Sequence, residues 1–164
     1  MRASLTLTLL LVAACSTAED GPTDSPAAAS SRIGGIEYGA ETLIMESFPV
    51  QLRTIVTARN PTDAPVVLEF GNPCVAHLRV YADSARSGLP LWDQERVTGC
   101  IAVVFEDTIA PGDTAQYVAP NTDAREVLGD SLPDGRYWLA AALRPNGRAI
   151  EVPAGVADLA IPRD

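Results

Sequence analysis

Residues 50–70 read VQLRTIVTARNPTDAPVVLEF, which is two runs of alternating apolar and polar side chains on either side of a turn. In the first run Leu52 and Val56 fall on one face and Arg53 falls on the other. Alternation with a period of two is typical of a β-strand that buries one face. Residues 60–63, Asn-Pro-Thr-Asp, form the turn because the proline presets φ. The stretch therefore predicts two strands of an all-β fold.

The same alternation recurs along the chain, and the runs are separated by turn signals such as Ala110-Pro111-Gly112-Asp113. The alternating apolar positions are Val66, Leu68 and Phe70, then Ala76, Leu78 and Val80, then Ile101, Val103 and Phe105, then Ala115 and Tyr117, then Tyr137, Leu139, Ala141 and Leu143, with a last short strand at residues 155–161. Short strands at a spacing of about 8–12 residues predict an antiparallel β-sandwich of about seven or eight strands. A closed barrel is the alternative, because period-two patterning does not separate the two.

Two short motifs interrupt the alternation. Asp123, Glu126 and Gly129 have the spacing of a capping box that is closed by a C-terminal glycine, which predicts a short crossover helix outside the core. Residues 132–137, LPDGRY, resemble the tyrosine corner of Greek-key sandwiches. In such a corner, the Tyr137 hydroxyl bonds back to the upstream main chain. The alternative is an ordinary turn before an ordinary strand.

The N-terminus predicts a signal peptide at residues 1–14. A positive start, Met1-Arg2, precedes an uncharged run at residues 5–14 that is only about half as long as a membrane-spanning helix. The alternative is a buried helix of the fold. The run ends in Val12-Ala13-Ala14-Cys15, which resembles the bacterial lipobox and implies cleavage before Cys15 and lipid attachment to its sulfur. An ordinary signal peptidase site is the other possibility.

The segment after the lipobox predicts a disordered tether, residues 15–32, followed by a single domain, residues 33–164. The tether has no aromatic residue and no Leu, Val or Met, so it buries too little apolar surface to fold. The several acyl chains of a mature lipoprotein would anchor it to a membrane. The expected location is the bacterial cell envelope, and the absence of Asp directly after Cys15 favours the outer membrane.

Composition excludes several classes of partner and cofactor. The net charge is −9 and all 12 basic residues are Arg, so the chain lacks the basic surface that nucleic acid binding requires. The single histidine, His77, excludes any site built on two imidazoles, including a cupredoxin copper site. Its place in an alternating strand predicts a surface imidazole. We therefore expect no metal and no cofactor.

Cys74 and Cys100 remain once Cys15 is assigned to the anchor. An exported protein favours a disulfide between them. The two cysteines enclose residues 75–99. Closing a loop of that length stabilises the folded protein by about 3.5 kcal/mol in the chain-entropy model. Free thiols or metal ligands are the alternatives, although His77 is the only nearby residue in the sequence that could complete a metal site.

Catalytic motifs are missing from the sequence. His77 is accompanied by no nucleophile-elbow motif, and no glycine-rich phosphate loop is present. The acidic pairs Asp93 with Glu95, and Glu106 with Asp107, are the remaining candidates for acid–base chemistry. Such pairs arise by chance in an acidic chain and usually lie on solvated faces. We therefore predict that the protein is not an enzyme.

The order of motifs resembles the intracellular proteinase inhibitor (BsuPI-type) family over residues 48–143. The matching segments are the strand and turn Ile55–Thr62, the strand Pro65–Phe70, Val80-Tyr81-Ala82-Asp83 with Gly88 and Trp92, the turn Ala110–Asp113, and Gly135-Arg136-Tyr137. The resemblance implies an immunoglobulin-like β-sandwich and protease inhibition through an exposed loop. Cys74, Cys100 and the signal peptide depart from this cytoplasmic family, and no residue marks a reactive loop.

The functional prediction is a lipid-anchored binding module that contacts an envelope protein. Its candidate surface is the loop at residues 84–99, which contains Leu89, Leu91 and Trp92. An aromatic residue in a Pro/Gly-rich loop is a common interface anchor. Packing of Trp92 into the core is the alternative. A proteinase inhibitor acting through an exposed loop is the second functional hypothesis.

Overall fold

The computed structural model describes residues 30–47 and 49–161. The predicted signal peptide, the lipid site at Cys15 and most of the predicted tether lie outside these residues. The strands of the described part are β1 (Ser31–Ile33), β2 (Ile36–Met45), β3 (Gln51–Arg59), β4 (Val66–Phe70), β5 (Ala76–Tyr81), β6 (Trp92–Asp93), β7 (Phe105–Ile109), β8 (Thr114–Val118), β9 (Thr122–Asp123), β10 (Gly135–Leu143) and β11 (Ile150–Leu159). Two short helices, α1 (Gln94–Val97) and α2 (Ala124–Leu128), and a 3-10 helix (Pro145–Gly147) complete the described elements.

The strands form a β-sandwich, as the alternation predicts. One sheet has the order β1-β2-β3-β8, with β9 also paired to β3, and the other has the order β11-β10-β5-β6. Strands β4 and β7 form a separate two-stranded ladder, and every pairing is antiparallel. The two large sheets face each other, with β2 lying against β11 across the core.

The central strand β3 shows why the alternating sequence produces this fold. Leu52, Thr54, Val56 and Ala58 are buried on its inner face, whereas the side chains between them are partly or fully exposed. Complete burial of a side chain such as Leu52 or Val56 contributes about 1.5–3 kcal/mol to the free energy of unfolding. The inner face of β3 is therefore fixed by its period-two pattern, and a register slip of one residue would expose it.

The turn after β3 is held by a single buried side chain. Asn60 is completely buried and its Nδ2 donates to the carbonyl oxygens of Ala64, at 2.8 Å, and Ile109, at 2.9 Å. Its Oδ1 accepts from the main-chain N–H of Thr62 at 3.0 Å. These bonds join the turn to the end of β7. They also give both polar atoms of the buried amide a hydrogen-bond partner, as buried polar groups require.

The tyrosine corner and the predicted short helix are both present. The Tyr137 hydroxyl donates to the carbonyl oxygen of Pro133. The side chain of Asp123 caps α2 by accepting from the main-chain N–H of Glu126 at 2.8 Å. The expectation that this helix lies outside the core is wrong, because Val127 and Leu128 belong to the buried cluster. One face of even a short helix can complete the interior between two sheets.

Two predicted strand boundaries are wrong. Residues 101–104 form no strand, and β7 begins only at Phe105, opposite Phe70. Because β4 is broken by the turn at residues 71–73, no strand is available to pair with residues 101–104. The last strand begins at Ile150, well before the predicted residue 155, because a bulge opposite Leu139 accommodates a Pro and a Gly that otherwise indicate a break.

Candidate functional site

A disulfide joins Cys74 to Cys100 in the structure, with a Cα–Cα distance of 6.2 Å. Cys74 follows β4, and Cys100 precedes β7, which is the strand paired with β4. The cross-link therefore ties together the two segments that leave one end of the β4–β7 ladder. Free thiols and metal ligation by these two cysteines are excluded as long as the disulfide is intact.

The segment that contains Cys100 is an exposed, largely apolar loop, which we define as residues 98–104. It has no regular secondary structure, and residues 101–104 are all exposed. Ile101 is 70% exposed and Val104 is 64% exposed, and Val103 is also more than half exposed. The loop is fixed at Cys100 by the disulfide and at Phe105 by the start of β7. An apolar cluster held in water in this way is typical of an interaction site.

The interface residues predicted from the sequence are divided by the structure. Leu89 is 79% exposed and Leu91 is 46% exposed, so both present apolar surface to solvent. Trp92 is only partly exposed, pairs with Val80 in the sheet and packs against the core. The structure therefore agrees with the alternative interpretation, in which Trp92 packs into the core.

The loop that carries Leu89 and Leu91 is anchored at two points. Arg86, which has a positive φ of 51°, donates from Nε to the carbonyl oxygen of Leu139 at 3.0 Å. The buried Gln94 accepts from the main-chain N–H of Leu78 at 2.9 Å and donates to the carbonyl oxygen of Pro120 at 2.7 Å. The Gln94 side chain thus connects the loop to β5 and to the segment between β8 and β9.

A polar cluster covers the outer face of β5, and sequence reasoning did not predict it. Arg79 donates to Asp93 at 3.1 Å, to Glu151 at 3.1 Å and to Glu95 at 3.4 Å. Tyr81 donates to the same Glu151 oxygen at 2.7 Å. We define these five residues as the Arg79 cluster. They come from β5, β6, α1 and β11, so only the tertiary structure brings them together.

The Arg79 cluster holds its tyrosine in the protonated state. Burial, and then the hydrogen bond to Glu151, raises the pKa of Tyr81 to about 12. Arg79 is held in its charged form by the hydrogen bond to Glu151 and by the charge of Asp93, and its pKa is raised despite partial burial. The hydrogen bonds of Arg79 and Tyr81 connect β5 to β6, to α1 and to β11. Both members of the predicted acidic pair Asp93 and Glu95 are bound to Arg79 in this way.

In the other predicted acidic pair, Glu106 and Asp107 have different surroundings. Asp107 accepts a hydrogen bond of 2.8 Å from the buried Tyr117 hydroxyl, and burial, followed by this bond, raises the pKa of Tyr117. Glu106 lies opposite Glu69 in the β4–β7 ladder. This pair lies on β7, whereas Asp93 and Glu95 lie on β6 and α1.

His77 is buried, contrary to the surface position expected from alternation. It is 7% exposed, because α1 and the Arg79 cluster cover the outer face of β5. Its Nδ1 atom has no hydrogen-bond partner, and neither does the Oδ1 atom of Asn72. Both residues line a pocket of about 40 Å³ beside Cys74, which we call the polar pocket.

Burial sets the protonation state of His77. It lowers the pKa of the imidazole below its ordinary value of 6.5. The carboxylates of Glu95 and Asp93 and the main chain of Cys74 oppose this shift without cancelling it, and the charge of Arg79 reinforces it. The ring is therefore neutral at pH 7, with one nitrogen available as an acceptor.

The described residues contain no group of three or more His, Cys, Asp or Glu side chains placed to hold a metal ion. Among the helices of residues 30–161 that the structure describes, none is long and apolar enough to cross a membrane.

Comparison with solved structures finds distant similarity. No protein-family model matches the chain, and no curated protein matches it either. An X-ray structure described as a Northeast Structural Genomics Consortium target is similar, with a TM-score of 0.33 and 15% identity over 78% of this chain and 88% of the other. That description names no function.

Proposed function

We propose that this protein is a lipid-anchored binding module of the bacterial cell envelope, and that the apolar loop at residues 98–104 is its contact element. The observation that supports the proposal most directly is the exposure of Ile101, Val103 and Val104 on a segment fixed at both ends. Exposed apolar surface of this kind is costly in water unless a partner covers it.

The fixed ends favour tight binding. A loop that is already held by a disulfide at Cys100 and by β7 at Phe105 loses little conformational entropy when a partner binds. Covering one fully exposed Val or Ile side chain contributes about 1.5–3 kcal/mol. The partner expected from this chemistry is a protein with an apolar groove.

The proposed location rests on two separate features. The disulfide between Cys74 and Cys100 suits an oxidising compartment outside the cytoplasm. The lipobox at residues 12–15 supplies the anchor. Mass spectrometry of the mature protein should find a lipid-modified Cys15 at the N-terminus, whereas an unmodified N-terminus would remove the anchor from the proposal and leave the loop in place.

Photo-crosslinking in the native envelope tests the contact element. A photoreactive amino acid at position 101 should give a discrete adduct, whereas the same group at Val118, which is 43% exposed on β8, should not. The adduct should also weaken in the Val103→Ser variant and persist in Val118→Ser. Equal crosslinking from both positions, or none from position 101, would reject the loop as the contact element.

A proteinase inhibitor is the second candidate, and the same loop favours it. A protease binds an exposed segment that is held at both ends, and residues 101–104 are exposed and lie between the disulfide at Cys100 and the start of β7. Their small and aliphatic side chains match the small specificity pocket of elastase-type enzymes. Titration of the protein against elastase-type and trypsin-type proteases is the test. Inhibition of the first group alone, abolished by Val103→Arg, would favour an inhibitor, and cleavage without inhibition would reject it.

A further inference from the structure

One hydrogen bond fixes the orientation of the main chain in the β4–β7 ladder. The main-chain N–H of Glu69 in β4 donates to Oδ1 of Asn146 at 2.7 Å, so this N–H points away from β7. In an antiparallel ladder, two opposite residues either exchange both of their main-chain hydrogen bonds or both face away from each other. Glu106 lies opposite Glu69, so the N–H and C=O of Glu106 point away from β4.

The outer edge of β7 is therefore free. Thr108 has the same orientation as Glu106, because the outward positions of a paired strand recur at every second residue. Among the described strands β7 is paired with β4 alone, and the main chain of Glu106 and of Thr108 bonds to no other described residue. A strand edge with unpaired N–H and C=O groups is a template for pairing with another chain.

This free edge continues directly into the apolar loop. Val103 and Val104 precede Phe105, the first residue of β7, and both valines are more than half exposed. Residues 101–104 make no main-chain hydrogen bond with any residue that the structure describes. A strand that pairs with β7 and extends past Phe105 would therefore cover apolar side chains as well.

Charge at the edge restricts the strand that fits it. Glu69 and Glu106 lie directly opposite each other, and both side chains are exposed. Neither carboxylate forms an ion pair with a described residue. Like charges placed opposite each other are destabilising, whereas opposite charges on neighbouring strands attract. A basic side chain opposite Glu106 on the adjoining strand would offset this repulsion.

Two other occupants of the edge carry the wrong charge. Full antiparallel overlap of two copies of β7 would place the Asp107 side chains of both copies opposite each other. Residues 16–29 of this chain include three acidic side chains and no basic one. A basic segment of a different protein therefore matches the edge better than a second copy or this N-terminal segment.

We propose that the partner of the apolar loop adds a strand to the outer edge of β7. The residue opposite Glu106 in that strand exchanges main-chain hydrogen bonds with Glu106 and carries a basic side chain. The apolar groove expected of the partner then lies beside its added strand. Main-chain bonds supply affinity in this mode of recognition, and alternate side chains supply specificity. The inference rests on the proposed function, because it assigns how the partner of the loop is held.

Two isomeric peptides test the pairing. Both have the sequence Val-Arg-Val-Arg-Val-Arg-Val with blocked ends and three N-methyl groups, which lie on the Arg nitrogens in one peptide and on the last three Val nitrogens in the other. An Arg opposite Glu106 directs its N–H towards β7, whereas the N–H groups of the valines point away. Only the Val-methylated peptide can then pair. Because the charges are equal, general attraction to an acidic chain does not distinguish the two peptides.

NMR of the full chain is the measurement. Before peptide is added, the N–H groups of Glu106 and Thr108 should exchange with water faster than that of Asp107, which pairs with Leu68. The Val-methylated peptide should shift the Glu106 and Thr108 signals and slow their exchange. The Arg-methylated peptide should bind about fivefold more weakly for each hydrogen bond lost. Equal binding, or tighter binding of the Arg-methylated peptide, would overturn the proposal.

A pair of variants at Thr108 provides a second readout. Thr108→Pro removes an outward N–H and should weaken binding of the Val-methylated peptide about fivefold or more. Proline is tolerated on an edge strand where the N–H faces solvent. Thr108→Val keeps the N–H and is the matched control. Equal binding by the two folded variants would overturn the proposal, and if Thr108→Pro does not fold, the peptide comparison decides the question with the unmodified chain.

Crosslinking separates this inference from the proposed function. An adduct from position 101 together with equal binding of the two peptides rejects strand addition and leaves the proposed function in place. The expected peptide preference without an adduct from position 101 rejects the proposed function and supports the edge of β7 as a site for a basic strand. Sedimentation of the purified chain covers the remaining occupant, because a dimer that Thr108→Pro disrupts would show that a second copy pairs with the edge and would overturn the proposal.

Discussion

The Tyr137 hydroxyl donates a hydrogen bond to the carbonyl oxygen of Pro133, and this bond holds the turn before β10 against the strand itself. The Tyr137 ring is buried in the core cluster at the same time. One side chain therefore links the geometry of the turn to the packing between the sheets, so β10 enters the sandwich at a fixed register.

Tyr137→Phe should lower the free energy of unfolding by about 1–1.5 kcal/mol, because it removes this bond and leaves the Pro133 carbonyl without it. Urea denaturation is the measurement. Tyr38→Phe is the matched control, since it removes the hydroxyl of another buried tyrosine for which the described residues provide no hydrogen bond. Equal losses from both variants would contradict a special role for the corner.

Arg79→Met should destabilise the protein by about 3 kcal/mol, because it leaves the buried Asp93 carboxylate without its closest cation. The remaining pair of Asp93 with Arg96 is longer, at 3.9 Å. Arg136→Met is the control, since it breaks a fully exposed pair with Asp158 and should change stability little. Comparable midpoints of urea denaturation for the two variants would show that the Arg79 cluster is not a stabilising centre.

The inner faces of the strands were predictable from sequence because burial there follows a local rule. In β3 and β4 the alternation of apolar residues alone identifies the buried side chains, such as Leu52 and Leu68. The same rule misplaced Val103, because an alternating run forms a strand only when another strand lies beside it. That condition depends on where β4 ends, and β4 is remote in sequence.

The outer face of β5 was not predictable for a related reason. His77, Arg79 and Tyr81 alternate as a solvated face does, yet the loop at residues 84–99 and Glu151 of β11 cover them. Their partners lie far along the chain, so the polar pocket and the Arg79 cluster have no local signal. The disulfide was predictable, because the body of the chain has two cysteines and the sequence predicts an export signal, which together leave few alternatives.

Removing the disulfide by the double substitution Cys74→Ser and Cys100→Ser should lower the free energy of unfolding by about 3.5 kcal/mol, from the loop entropy of the unfolded chain. It should also release one end of the apolar loop and weaken crosslinking from position 101. The unmodified protein under reducing conditions should match the double variant in both respects. Full crosslinking after reduction would show that the loop does not need this anchor.

The burial of His77 makes stability depend on pH in a defined range. The pKa of the folded imidazole is lowered, first by burial, whereas the unfolded chain binds a proton near pH 6.5. The unfolded state therefore holds more protons than the folded state below that pH. The contribution of the neutral imidazole to the free energy of unfolding should be fully present well above pH 6.5. It should decrease on acidification, by at most about 1.4 kcal/mol per pH unit.

Urea denaturation between about pH 7.5 and pH 5.5 measures this effect above the range in which carboxylates usually titrate. Because the chain has a single histidine, His77→Phe removes the only imidazole and should flatten the profile across this range. NMR titration of the unmodified protein gives an independent check, since the imidazole midpoint should lie below 6.5. A midpoint at or above 6.5, or a profile that the substitution leaves unchanged, would show that burial does not control this proton.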